Sequence, residues 1–161
     1  MISDIEGYRL KKKYAIALRR ILTDHTPSKN FTRYLGLSAR ACRAFITLQL
    51  KPPFTIGNYG RMWVIDHIVP LFLFDQKKET DLFICWNYLN IIPMPLALNR
   101  LKGISLEFAL QELELRRTWN TASPVLKQLE LRLKNFVASM HEYHSAVEPH
   151  ALHRVLGLDT R

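Results

Sequence analysis

The chain has no apolar run approaching the ~20 residues a membrane-crossing helix needs; Asn, Asp or Pro interrupts its longest ones. A membrane is therefore not an expected partner. Cysteine is scarce, with Cys42 and Cys85 alone and no Cys-x-x-Cys spacing, so no disulfide framework is expected and the setting read from the sequence is a reducing cytoplasm. With 6 Gly and 8 Pro, the composition is not that of a fibrous or low-complexity chain. The opening MISDIEGYRLKKK lacks the apolar stretch that follows the basic segment of a secretory signal.

What is present suits one globular unit: 161 residues, of which 48% are hydrophobic and 11% aromatic, enough to bury a core. The net charge of +9 is unevenly spread. Residues 1–62 hold twelve Lys and Arg against three acids, whereas residues 63–103 and 104–161 are each neutral. A local cationic excess of this kind is what a polyanion-binding surface needs. A solvated face that keeps the chain soluble has the same composition.

Periodicity and caps predict the elements. Ser3 and Glu6 read as a capping box for a helix from Asp4 to about Leu22. Leu10, Tyr14, Ala17, Leu18, Ile21 and Leu22 share one side of it, and Arg9, Lys12, Lys13, Arg19 and Arg20 the other. Ile16 interrupts the basic side and Lys11 the apolar one. A polar loop follows, then a helix capped by Ser38 that runs to about Gln49, with Arg40 and Arg43 on its outer face. After the turn residues Gly57 to Gly60, the β-branched and aromatic run Trp63 to Val69 predicts a strand ended by Pro70. A loop over Asp75–Asp81 leads to a second short strand, Leu89 to Ile92, stopped by Pro93. Pro95 opens a short helix through Lys102, closed by Gly103. Ser105 caps a helix to about Trp119, and Ser123-Pro124 opens a longer one. The fold class expected is α+β, mostly helical.

The chemically informative stretch sets the Asp66 carboxylate beside the His67 imidazole on a strand, with Asn90 and Asn99 arriving from later elements. Asp66 and the amide oxygen of Asn99 are hard oxygen donors of the type Mg²⁺ accepts, with room left for water and phosphate. An imidazole titrates near neutrality and can take a proton from water. Adjacent strand residues point to opposite faces, so Asp66 and His67 meet at one site only if the strand ends or bends there.

The order Trp63-x-Ile65-Asp66-His67-Ile68-x-Pro70, then Tyr88-x-Asn90-x-x-Pro93, then Asn99-x-x-Lys102-Gly103 resembles the HNH endonucleases, specifically the small homing-type enzymes common in bacteriophages. The resemblance reaches upstream through Asn58-Tyr59-Gly60 and Leu35-Gly36-Leu37-Ser38, and covers roughly residues 8–103. It implies a ββα-metal finger with a two-stranded antiparallel hairpin at residues 63–103. A basic helical DNA-binding segment at 1–62 and a helical segment at 104–161 flank the finger, the three forming one unit. It implies that His67 is the general base, that Asp66 and Asn99 hold one divalent ion, Mg²⁺ first and Mn²⁺ or another second, and that Asn90 fixes the strand pairing and the orientation of the base. It further implies hydrolysis of double-stranded DNA, one strand nicked per site, with 5′-phosphate and 3′-hydroxyl ends, in the cytoplasm of the host cell for a phage-carried chain.

The cations expected on the DNA are Arg9, Lys12, Lys13, Arg19, Arg20, Arg40, Arg43, Arg61 and Lys102. No base-reading motif is recognisable, which points to phosphate contacts and weak specificity. The zinc-binding cysteine pairs that brace some relatives are absent, so neighbouring helices must do that work. The pairs His141/His144 and His150/His153 have zinc-like spacing, which is also ordinary surface spacing on a helix. Residues 104–161 inherit no role from the resemblance; their apolar helices offer a homodimer or partner surface. The alternatives are a non-catalytic DNA-binding protein that keeps the finger as a scaffold and a partner-binding module.

Overall fold

The structure, a computed structural model, describes residues 5–23, 29–102 and 105–146, and among these every side chain except those of 101, 102 and 141–146. The expected capping residue Ser3, the closing Gly103, His150 and His153, and the side chains of Lys102, His141 and His144 lie outside the described residues.

Helix α1 spans Ile5–Leu22 and buries Tyr14, Ala17, Leu18, Ile21 and Leu22, the apolar face expected from the spacing. Ser38 accepts a hydrogen bond from Ala41 N at 3.2 Å and so satisfies one of the orphan donors at the start of α3, Ala39–Gln49. Between α1 and α3 lies α2, Lys29–Leu35, and α4, Glu79–Cys85, follows in the stretch expected to be mostly loop. Each has seven residues, too few to display a 3.6-residue period against the sequence around it. The two pack on each other, and Arg33 of α2 pairs with Glu79 at the start of α4.

The sheet has two antiparallel strands, β1 at Trp63–His67 and β2 at Ile91–Pro95, with His67 opposite Ile91 and Trp63 opposite Pro95. β2 starts later than the sequence suggests and runs through both prolines. The ladder explains why. Ile68 N donates to Asn90 O at 2.8 Å and Leu96 N to Met62 O at 2.9 Å, so the even-numbered pairs exchange hydrogen bonds. The pairs containing Pro93 and Pro95 are then the non-bonded ones, whose nitrogens face outward. A two-stranded sheet has only edges, and proline there costs no ladder bond. Leu89 and Asn90, expected in the strand, belong instead to a single 3-10 turn over Tyr88–Asn90, and the Asn87 side chain accepts from Leu89 N at its start.

From β2 the chain enters α5, Leu96–Lys102, which packs across both strands. The last two described helices are α6, Leu106–Trp119, and α7, Pro124–Ala146. Ser105 and Ser123 cap them, accepting from Phe108 N at 3.2 Å and Leu126 N at 3.3 Å. Their buried residues Ala109, Leu113, Leu126, Leu129 and Leu133 join Leu18, Leu22, Trp63, Trp86 and Ile91 in one core cluster. Residues from both ends of the chain thus share one core with the sheet. No described helix is long and apolar enough to cross a membrane.

Candidate functional site

The loop joining the strands is tied to its surroundings mostly by side chains. Asn90, fully buried, accepts from Val69 N at 2.8 Å and donates through Nδ2 to Val69 O at 3.3 Å and Cys85 O at 2.9 Å. Its amide therefore fastens the residues just after β1 to the end of α4. Asn90 does not line the notch described below.

Two arginines from the C-terminal helices reach into the same region. Arg116 of α6 is 2% exposed and donates to Tyr88 O and Ile91 O, both at 3.0 Å, while its guanidinium lies over the Phe45 and Trp119 rings. Burial lowers its pKa to about 10. Arg132 of α7 donates to Leu73 O at 3.0 Å and pairs with the buried Asp81 carboxylate. The Asp81 carboxylate also accepts from Asp75 N at 2.8 Å. These ties give residues 105–146 a structural part: they brace the hairpin and its loop, work the sequence left to neighbouring helices without pointing to the two arginines.

With the backbone so held, β1 ends at His67 and the chain turns away. Asp66 and His67 leave the strand on opposite faces, yet at its end both line one open notch of about 210 Å³. Asn99, carried back by α5, lines it too, together with Pro70, Leu71, Phe72 and Lys11. His67 is 7% exposed and is part of the wall. Its ring is held edge-on to Trp86 with centroids 4.7 Å apart at 85°, and the Trp86 indole is fixed in turn by donating to Gln76 Oε1 at 3.0 Å. Asp66 and Asn99 are half-buried. Among the described residues no three His, Cys, Asp or Glu side chains gather as metal ligands. The notch instead presents one carboxylate and one amide oxygen beside open volume, a small donor set of the kind that suits a cation retaining most of its water.

Lys11 is the notch residue that sequence reasoning missed. The signal was present: a charge on the apolar side of α1, one face with Leu18 and Leu22, which are 2% and 0% exposed.

The expected DNA-contacting cations fall into separate groups. Arg9, Lys12, Lys13 and Arg20 line a second, larger cleft of about 660 Å³ between α1 and α2, where Arg33 joins them and no acid is among the described lining residues. Arg19 is exposed on α1 and near enough to act electrostatically on Tyr59, whose hydroxyl is raised above its ordinary pKa by burial. Arg40 is exposed and Arg43 half-buried on α3. Arg61 is exposed and donates to Gly57 O at 3.0 Å.

No family model matches the chain, and no solved structure matches it. Over 88 residues it is 31% identical to the Uncharacterized protein L426 of Acanthamoeba polyphaga mimivirus, a stretch that takes in 55% of this chain and 39% of the relative. The chain therefore spans well under half the length of that relative.

Proposed function

We propose that the chain is a metal-dependent DNA endonuclease of the HNH kind, in which β1, β2 and α5 form a ββα-metal finger. The observation that carries the reading is the convergence of Asp66, His67 and Asn99 on one solvent-open notch, at the end of a hairpin flanked by the most basic part of the chain.

Asp66 and Asn99 would hold one divalent ion, Mg²⁺ by the hardness of their oxygens. Such an ion supplies Lewis-acid and charge-neutralising chemistry at a phosphodiester. His67 takes a proton from the attacking water as its oxygen bonds to phosphorus; the bond from phosphorus to the 3′ oxygen breaks, and that oxygen is protonated from solvent. The products carry 5′-phosphate and 3′-hydroxyl ends. Trp86 keeps the imidazole in one orientation, and Asn90 keeps the strand end from slipping. The cations of α1 and α3 hold the duplex through its phosphates, giving salt-sensitive binding of low sequence preference. One site cuts one strand, so a double-strand break requires two chains or two successive nicks.

The test is relaxation of supercoiled plasmid with Mg²⁺ or Mn²⁺ added. The expected result is nicked product that disappears in His67→Ala, with the variant still unfolding cooperatively on heating. Undiminished cutting by His67→Ala, or salt-sensitive binding with no cutting under either ion, overturns the reading in favour of a binding protein that keeps the finger as scaffold.

A further inference from the structure

We propose that Lys11 contacts the scissile phosphate, its ammonium bound to a non-bridging oxygen of the phosphodiester held in the notch. The inference rests on the nuclease reading and adds to it a residue from outside the hairpin and its helix.

Three observations carry it. First, Lys11 lines the notch together with Asp66, His67 and Asn99. Second, it stands where an amphipathic helix would place an apolar residue: one face of α1 runs from Lys11 through Leu18 to Leu22, and both leucines are buried. The other α1 cations that line a cleft, Arg9, Lys12, Lys13 and Arg20, do so at the α1–α2 cleft and not here. Lys11 is exposed at that position, so its ammonium stays in solvent beside the notch. Third, the other ionisable groups of the notch are a carboxylate and an imidazole. A phosphodiester brings one negative charge, and a second develops as water attacks, so an added ammonium is strongest in the transition state.

The length of the lysine side chain suits this task. Its stem can lie along apolar surface, here offered by the notch residues Leu71 and Phe72, while the compact ammonium reaches a phosphate as a point charge. Farther along α1, Arg19 lies eight residues or about 12 Å on. It acts on Tyr59, whose ring packs at 4.9 Å on Trp63 at the other end of β1. Lys11 and Arg19 thus follow β1 from its His67 end to its Trp63 end, a line along which one DNA strand can pass.

The test compares wild type, Lys11→Ala and Lys11→Arg by single-turnover cleavage of a labelled duplex at saturating protein with Mn²⁺. Duplex affinity is measured separately by anisotropy without divalent ion. For Lys11→Ala the cleavage rate is expected to fall by about 10²–10³-fold while affinity changes less than about threefold, and Lys11→Arg recovers most of the rate. Lys11 is exposed, so melting temperatures should coincide. If wild type cuts, His67→Ala does not, and Lys11→Ala cuts at the wild-type rate, the inference on Lys11 falls while the nuclease reading stands. It falls too if Lys11→Ala loses affinity alone. If wild type itself fails to cut, the nuclease reading fails and takes this inference with it.

Discussion

Asn90 separates a structural account of this hairpin from a catalytic one, because its side chain is fully buried and does not line the notch. Replacing it with Ala removes three hydrogen bonds, to Val69 N, Val69 O and Cys85 O. The heaviest loss is the Val69 N–H: Val69 is 0% exposed, and a buried donor left without its acceptor costs about 1–3 kcal/mol. The two carbonyls add about 1 kcal/mol each, for a total of about 3–5 kcal/mol. In a chain of this size that lowers the melting temperature by about 6–20 °C.

Asn90→Asp sharpens the case. Its carboxylate can still accept from Val69 N but has no N–H for Val69 O and Cys85 O, and burial disfavours its charge, raising its folded pKa above the unfolded value. An acid with a raised folded pKa is harmless while protonated in both states, so the variant should approach wild type below about pH 4 and lose stability as pH rises past that point. Urea unfolding of both variants at several pH values measures this. A loss under about 1 kcal/mol for Asn90→Ala, accompanied by abolished cleavage, would refute the structural assignment and make the amide a participant in the chemistry.

The brace can be tested in the same way: Arg116→Met strands the carbonyls of Tyr88 and Ile91 and should cost about 2–4 kcal/mol. Its neighbour Arg117, 54% exposed and paired with Glu130, should cost under about 1 kcal/mol as Ala; equal losses in urea titrations would remove the brace. Gly36 and Gly60 both have positive φ, +71° and +78°, but a Cβ on Gly36 would stand 2.7 Å from Asn87 Nδ2 whereas Gly60 has nothing within 4 Å. Gly60→Ala should therefore cost about 1–2 kcal/mol and Gly36→Ala visibly more, since Asn87 must move and release Leu89 N; identical losses would contradict the packing. Burial pushes the Cys42 thiol up to about 11 and the Cys85 thiol up to about 12, from 9.0. The folded chain keeps both protons where the unfolded chain sheds them, so stability falls above about pH 9 by up to about 1.4 kcal/mol per pH unit for each thiol. Native protein should resist a thiol reagent at about pH 8 and the Cys42→Ala/Cys85→Ala variant should show the shallower decline; full reaction of the native chain on mixing would refute it.

The elements legible in the sequence are those that carry their own punctuation. α3, α6 and α7 begin at Ser38, Ser105 and Ser123, whose hydroxyls cap them, and α1 has a full apolar face. α2 and α4 were illegible because their buried residues, Phe31, Tyr34 and Leu35 in one and Asp81, Leu82 and Cys85 in the other, make sense only against each other and the core. The displaced start of β2 has a similar cause. Pro93 signals an end to any strand that must donate on both sides, and whether a given nitrogen must donate depends on the register, which the sequence of one strand does not contain.

The same reasoning separates the legible part of the candidate site from the rest. Asp66, His67 and Asn99 stand out because they sit at fixed spacings within a short stretch. Lys11 and Arg116 do not, since the groups they meet lie far along the chain; for Arg116 the partners are 28 and 25 residues away. Both nevertheless leave the same trace, a charge on an apolar face: Lys11 above Leu18 and Leu22, and Arg116 one turn beyond Leu113 and two beyond Ala109, each at most 2% exposed. Burying an ion costs several kcal/mol unless hydrogen bonds answer it, a cost that falls on Arg116, 2% exposed, and not on the exposed Lys11. At Arg116 two carbonyls answer the charge. Lys11, exposed on the rim of the notch, leaves its ammonium to meet a phosphate of opposite charge, and that difference separates a brace from a binding residue.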